Sequence, residues 1–155
     1  MAVSFKMSGR IDAPVDALVE RMTDPEEQER ISKHFGSEVA RCTRSDGTAG
    51  PHIELYTEEP DRKMGGTNKS TLFMDWDLDR RVCRWRREDH GYGDRFTMTG
   101  EMRLEPVGDT SMMHERGELT IDYPIFGKQI AKKIARALER KQPEKCQYWE
   151  ERIGS

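Results

Sequence analysis

The chain has 155 residues, 34% hydrophobic and 35% charged, with a net charge of −3 at pH 7. Those values describe one domain with a lean core and an ionic surface, and the acidic balance argues against a general nucleic-acid binder. No stretch approaches the roughly 18 consecutive apolar residues of a membrane-spanning helix.

The three cysteines, Cys42, Cys83 and Cys146, are odd in number and widely spaced. That suits neither a disulfide framework nor a zinc knuckle, so reduced thiols in a cytoplasmic protein are expected. The opening MAVSFKMSGRIDAP alternates from its start and carries no apolar signal core.

Residues 2–12 read as a first strand with Val3, Phe5, Met7 and Ile11 on one face. Ala13-Pro14 breaks it, with Asp12 as a helix N-cap. A short helix follows, its stripe made of Val15, Leu18, Val19 and Met22. Asp24-Pro25 starts a second, running to about Phe35, whose only strongly apolar residues are Ile31 and Phe35, so it should lie on the surface. Strands are expected over 36–44 (Val39, Cys42) and 52–59 (Ile53, Leu55), with a turn at SDGTAGP between them. Residues 60–69 read as a polar loop.

Residues 71–123 read as four successive antiparallel strands: TLFMDWDLD, RRVCRWRRED, DRFTMTGEMRLE and TSMMHERGELTID. A turn at Asp79-Arg80 sets Trp76 opposite Cys83 and Met74 opposite Trp85. A loop at His90–Gly93 sets Trp85 opposite Met98, and one at Pro106–Asp109 sets Met98 opposite Gly117. One face is then apolar and the other charged, the latter with Asp75, Arg84, Thr99 and Arg116 in one row and Phe73, Arg86, Thr97 and Glu118 in the next. From Pro124 the period changes to that of a long helix ending near Arg152. Its stripe is Ile130, Ile134, Ala135, Leu138, Cys146 and Trp149, and Pro143 should kink or restart it.

The order of elements, the Ala13-Pro14-Val15, Leu18-Val19 and Asp24-Pro25 motifs, and Gly117–Ile121 followed by Pro124-Ile125-Phe126-Gly127 resemble the START-like superfamily. This is the helix-grip (SRPBCC) fold of pollen-allergen-type proteins and bacterial polyketide cyclases. The resemblance spans almost the whole chain. It departs from the family in having Phe35 where an aromatic residue, often Trp, commonly follows the second helix. It implies an α+β fold: a seven-stranded, curved antiparallel sheet wrapped around a long C-terminal helix, two short helices between strands 1 and 2, and a cavity that takes an apolar or amphipathic molecule such as a lipid or polyketide.

The residues placed around such a cavity are Phe5, Met74, Trp76, Trp85, Phe96, Met98, Met102 and Met113, facing Ile130, Ile134 and Leu138. The same stripe also fits plain core packing. Gly100 and Gly117, mid-strand on the inner face, leave room or mark a bend. Arg87 and Glu115 point inward, where each needs a partner or a polar ligand group. As chemistry, Glu115 would be an acid/base and Arg87 would fix a carbonyl or carboxylate; a structural ion pair is the competing reading. His90 and Tyr92 sit in the HGYG loop, near a possible entrance.

The four histidines show no metal-ligating spacing, and no phosphate loop or nucleophile elbow is present, so no metal and no cofactor is expected. The basic face of KQIAKKIARALERK reads as solvated helix surface. Three readings follow: a binding protein for a small hydrophobic or amphipathic molecule, a cyclase- or dehydratase-like enzyme, and a protein-interaction module with a vestigial cavity. A monomer or homodimer without nucleic acid fits all three.

Overall fold

The computed structural model describes residues 2–62 and 64–154; Lys63, within the loop expected at 60–69, lies outside the described residues. Strand β1 (Val3–Ile11) is followed by helices α1 (Val15–Met22) and α2 (Pro25–His34). Strands β2 (Val39–Asp46), β3 (Pro51–Pro60), β4 (Thr67–Asp77), β5 (Val82–Asp89), β6 (Phe96–Val107) and β7 (Thr110–Ile121) come next, and α3 (Gly127–Gly154) closes the chain. All strands are antiparallel in one sheet of order β1-β7-β6-β5-β4-β3-β2, so the chain has a START-like helix-grip fold.

Sequential hairpins build this sheet from β2 to β7, and the first strand, β1, pairs with the last, β7. Helix α3 packs on β1 at Gly9, where an added Cβ would sit 2.7 Å from Cys146 Sγ. Strands β3, β5 and β7 run the same way, so the β3–β4, β5–β6 and β7–α3 connections all lie at one end of the sheet.

The β4–β5 register is the expected one, with Trp76 opposite Cys83 and Met74 opposite Trp85. Strand β6 differs: Trp85 faces Gly100 rather than Met98, and Met98 faces Leu119 rather than Gly117. The β5–β6 connection includes a short 3-10 turn (Gly93–Arg95), and the β6–β7 turn is Gly108-Asp109, with Gly108 at φ +61 and Pro106 still inside the strand. The slide is two residues, an even number, so every side chain keeps its face. On the outer face Glu101 replaces Thr99 in the Asp75 row, where it lies 4.0 Å from Arg84 and 3.7 Å from Arg116.

Three local expectations are corrected. Pro14, not Asp12, is the N-cap of α1, and the Asp12 N–H donates to Glu150 at 2.6 Å. Pro124 lies in a turn before α3, which begins at Gly127. Helix α3 runs through Pro143 without restarting, since tertiary packing of Gln142, Cys146 and Trp149 offsets one missing backbone hydrogen bond. Helix α2 is anchored by more than its apolar residues. Buried Glu27 takes Arg152 at 2.9 Å, Arg21 at 2.9 Å and Arg30 at 3.3 Å, tying α1, α2 and α3 together.

The core is divided in two. One cluster joins Val15, Leu18 and Met22 of α1 to Ile53, Leu55, Met74, Trp76, Cys83, Leu104, Met113, Cys146 and Trp149. The other joins Phe5, Phe96, Met98, Leu119 and Ile121 to Ala131 and Ala135 at the start of α3. Trp85 touches both.

Candidate functional site

The concave face of the sheet carries three rows under α3. Val3, Leu119, Met98, Arg87, Leu72 and Leu55 form the first, and Phe5, Gly117, Gly100, Trp85, Met74 and Ile53 the second. Met7, Glu115, Met102, Cys83 and Trp76 form the third. Phe5 and Trp85 stack over the two glycines with ring centroids 6.0 Å apart. The glycines therefore let two rings lie against the sheet, and the room they leave is filled from the same row.

Arg87 and Glu115 both face inward, as expected, and stand two strands and two rows apart, one row more than expected. A third charge, Lys145, enters from α3 between buried Gln142 and Trp149. These three side chains occupy the seam between the two core clusters. Each keeps part of its surface accessible, yet burial is the largest influence on its protonation. Half-buried Leu72 and Met102 pack against the first cluster, Met7, Ile134 and Leu138 against the second, and Trp85 against both.

Among the described residues, none of the three charges makes an ion pair within 4.0 Å. Burial pushes the Glu115 carboxyl up, while Lys145 and Arg87 pull it back. Burial pushes the Lys145 ammonium down, opposed by Glu115 and reinforced by Arg87 and Lys141. Arg87 is lowered by burial and supported by Glu59, Asp89 and Glu115. The Trp85 indole N–H faces Glu115 and favours its anion, although Nε1 forms no hydrogen bond of standard geometry. Arg87 Nε, Trp76 Nε1 and Gln142 Nε2 are likewise buried without a hydrogen-bond partner. Unpaired donors in such a place are costly, so the arrangement is suited to accept the polar end of a guest molecule.

The other residues read from the sequence divide into two groups. Phe5, Met74, Trp76, Phe96, Met98 and Met113 are fully buried and serve as walls of the core. Trp85, Arg87, Met102, Glu115, Ile130, Ile134 and Leu138 are half-buried. His90 lies over the convex face, bonded to Thr71 Oγ1 at 2.9 Å and 6.0 Å from the Tyr56 ring, apart from the interior charges. Tyr92 packs on Phe96 and Tyr123 and closes one end of the second cluster. Lys145 and Gln142 escaped the sequence reading, although both fall at helical spacing between Leu138 and Trp149.

The convex face bears a shallow groove of about 680 Å³ over the backbone of Gly100 and Gly117, walled by Lys6, Phe73, Arg86, Glu101 and Arg116. Its charges are largely engaged at the surface: Glu101 lies 4.0 Å from Arg84 and 3.7 Å from Arg116, and Arg86 stacks on Phe73 at 3.9 Å. The unpaired, desolvated groups are on the concave side, which makes that side the candidate site. Among the described residues no cluster of His, Cys, Asp and Glu could hold a metal ion, and no helix is long and apolar enough to cross a membrane.

Comparison with family models gives a match over residues 6–153. The chain belongs to the family described as protein of unknown function DUF2505. No curated protein matches the sequence of this DUF2505 member. Solved structures match its fold. TTHA0849 from Thermus thermophilus is 18% identical with a TM-score of 0.69, covering 97% of each chain. A START superfamily protein from Mycobacterium smegmatis is 14% identical at 0.61, also over 97% of each chain. The ZhuI aromatase/cyclase from Streptomyces sp. R1128 is 15% identical at 0.61, over 99% of this chain and 91% of that one. At these identities the likeness establishes the START-like architecture for the DUF2505 chain.

Proposed function

We propose that this DUF2505 protein binds a small amphipathic molecule between the concave sheet face and α3. The carrying observation is the seam itself: Arg87, Glu115 and Lys145 stand desolvated between two apolar clusters with no direct ion pair. The apolar body of the ligand would lie along Leu72, Trp85, Met102, Ile134 and Leu138, and its polar end would meet the three charges and the unpaired Arg87 Nε. Native mass spectrometry of protein purified from its own host, followed by extraction, tests the reading. A co-purifying lipid, polyketide or aromatic compound supports it. An empty protein, unshifted in melting temperature by a panel of fatty acids, sterols and aromatic polyketides, argues for the interaction-module reading instead.

A second reading is favoured by the opposed displacements of Glu115 and Lys145, which bring an acid and a base toward neutral pH from either side. In that reading the protein is a cyclase- or dehydratase-type enzyme; the Streptomyces structural relative is named an aromatase/cyclase. Glu115→Gln then abolishes turnover while leaving ligand affinity within about threefold. Parallel loss of both would leave simple binding as the function.

A further inference from the structure

Six large hydrophobic residues are exposed among the described residues, and four of them stand at one end of the molecule. Met64 is 87% exposed in the β3–β4 loop, and Tyr123, Ile125 and Phe126 are 40%, 79% and 61% exposed in the β7–α3 turn. That turn is not free to fold inward. Gly127 packs so closely on the Ile121 carbonyl that a Cβ there would overlap it, and the Gly127 and Ile130 N–H groups donate to the Tyr123 and Phe126 carbonyls at 3.3 and 3.0 Å. Ile125 and Phe126 are therefore presented outward by a fixed backbone.

Cations surround them. Residues 123–136 carry Lys128, Lys132, Lys133 and Arg136, all exposed, and no acid, within a chain of net charge −3. The Arg95 guanidinium lies over the Tyr123 ring at 5.2 Å and adds a fifth. Taken alone, the helix face looks like ordinary solvated surface, as the sequence suggested. The apolar turn at its head changes that reading.

We propose that this end of the molecule docks on an anionic lipid bilayer, with Ile125 and Phe126 entering the headgroup–acyl boundary and Lys128, Lys132, Lys133 and Arg136 meeting the lipid phosphates. Convex apolar tips ringed by long flexible cations suit a fluid anionic surface, which adapts to them and supplies the opposite charge. A second copy docking through the same patch would set these cations against their own counterparts, which disfavours self-association there. The inference stands on this surface alone and does not rest on the ligand reading.

Co-sedimentation of the whole chain with large unilamellar vesicles tests it, comparing phosphatidylcholine alone with phosphatidylcholine plus phosphatidylglycerol. The protein should pellet with the anionic vesicles and be released by salt. Lys132→Gln with Lys133→Gln should weaken binding on the order of tenfold, as should Ile125→Ser with Phe126→Ser. All four side chains project into solvent or its edge, so circular dichroism and melting temperature should be unchanged in both double variants. Failure to pellet, equal binding to neutral and anionic vesicles, or binding indifferent to both double variants overturns the proposal. So does a wild-type dimer that Ile125→Ser with Phe126→Ser converts to monomer without any vesicle binding, since the occupant is then a second copy.

Discussion

Phe5 and Trp85 lie on β1 and β5, on either side of the β7–β6 pair, yet their rings stack with an interplanar angle of 23°. They meet because Gly117 and Gly100 stand between them in the same row. A Cβ on Gly100 would overlap the Trp85 ring and lie 2.8 Å from the Arg116 carbonyl; one on Gly117 would overlap Phe5 and lie 2.5 Å from the Thr99 carbonyl. Rings can turn, but the carbonyls belong to the sheet. Gly100→Ala and Gly117→Ala should each cost about 1–3 kcal/mol, read from urea denaturation midpoints. A midpoint unmoved in both would mean that this row has slack.

Glu27 supports a second test. One buried carboxylate serves three arginines from three helices, and Arg152 reaches it with two nitrogens, at 2.9 and 3.0 Å. Glu27→Leu should destabilise by about 2–4 kcal/mol, less than loss of a fully buried partner because the arginines still reach water. A double-mutant cycle with Arg152→Leu should return a coupling of about 1 kcal/mol or more. A null coupling would assign the loss to α2 packing alone.

His52 should titrate above its ordinary value. Asp75, 2.6 Å from Nδ1, is the leading cause, and Glu54, 3.2 Å from Nε2, the next. A raised folded pKa favours the protonated form, so this contribution is complete below about 6.5 and is lost as pH rises through the folded value. Asp75→Asn should bring the titration, followed by NMR, back toward 6.5. An unchanged midpoint would remove Asp75 as the cause.

The fold was legible because each hairpin declares itself by alternation and each break by glycine, proline or aspartate. Face assignment survived because it depends only on parity. The β4–β5 register survived too, but that of β6 did not: loop lengths at Gly93–Arg95 and Gly108-Asp109 are set by turn geometry that composition leaves open, and β6 slid by two residues. The slide moves β6 against both neighbours equally, so Trp85 and Gly117 still share a row, whereas Arg87 and Glu115, expected one row apart, stand two rows apart. Lys145 was lost for a different reason. Lysine in a helix of many lysines reads as surface, and only its place four residues before Trp149 marks it as inward.

The interior charges should leave a signature in stability against pH. Glu115 has a folded pKa raised above its unfolded value, so the folded state holds its proton longer and stability falls as pH rises from about 4.5 through the folded value. Lys145 is lowered, so stability rises as pH climbs from its folded value to about 10.5. Near neutral pH both therefore oppose folding. Replacing both, Glu115→Gln with Lys145→Met, should stabilise the empty protein by about 1–4 kcal/mol and flatten its pH profile. Each single change should gain less, because it leaves the opposite charge without its nearest partner. Urea denaturation at pH 5, 7 and 9 measures this directly. A double variant less stable than the parent at every pH would show that Glu115 and Lys145 hold the fold together, and the seam would lose its standing as a binding site.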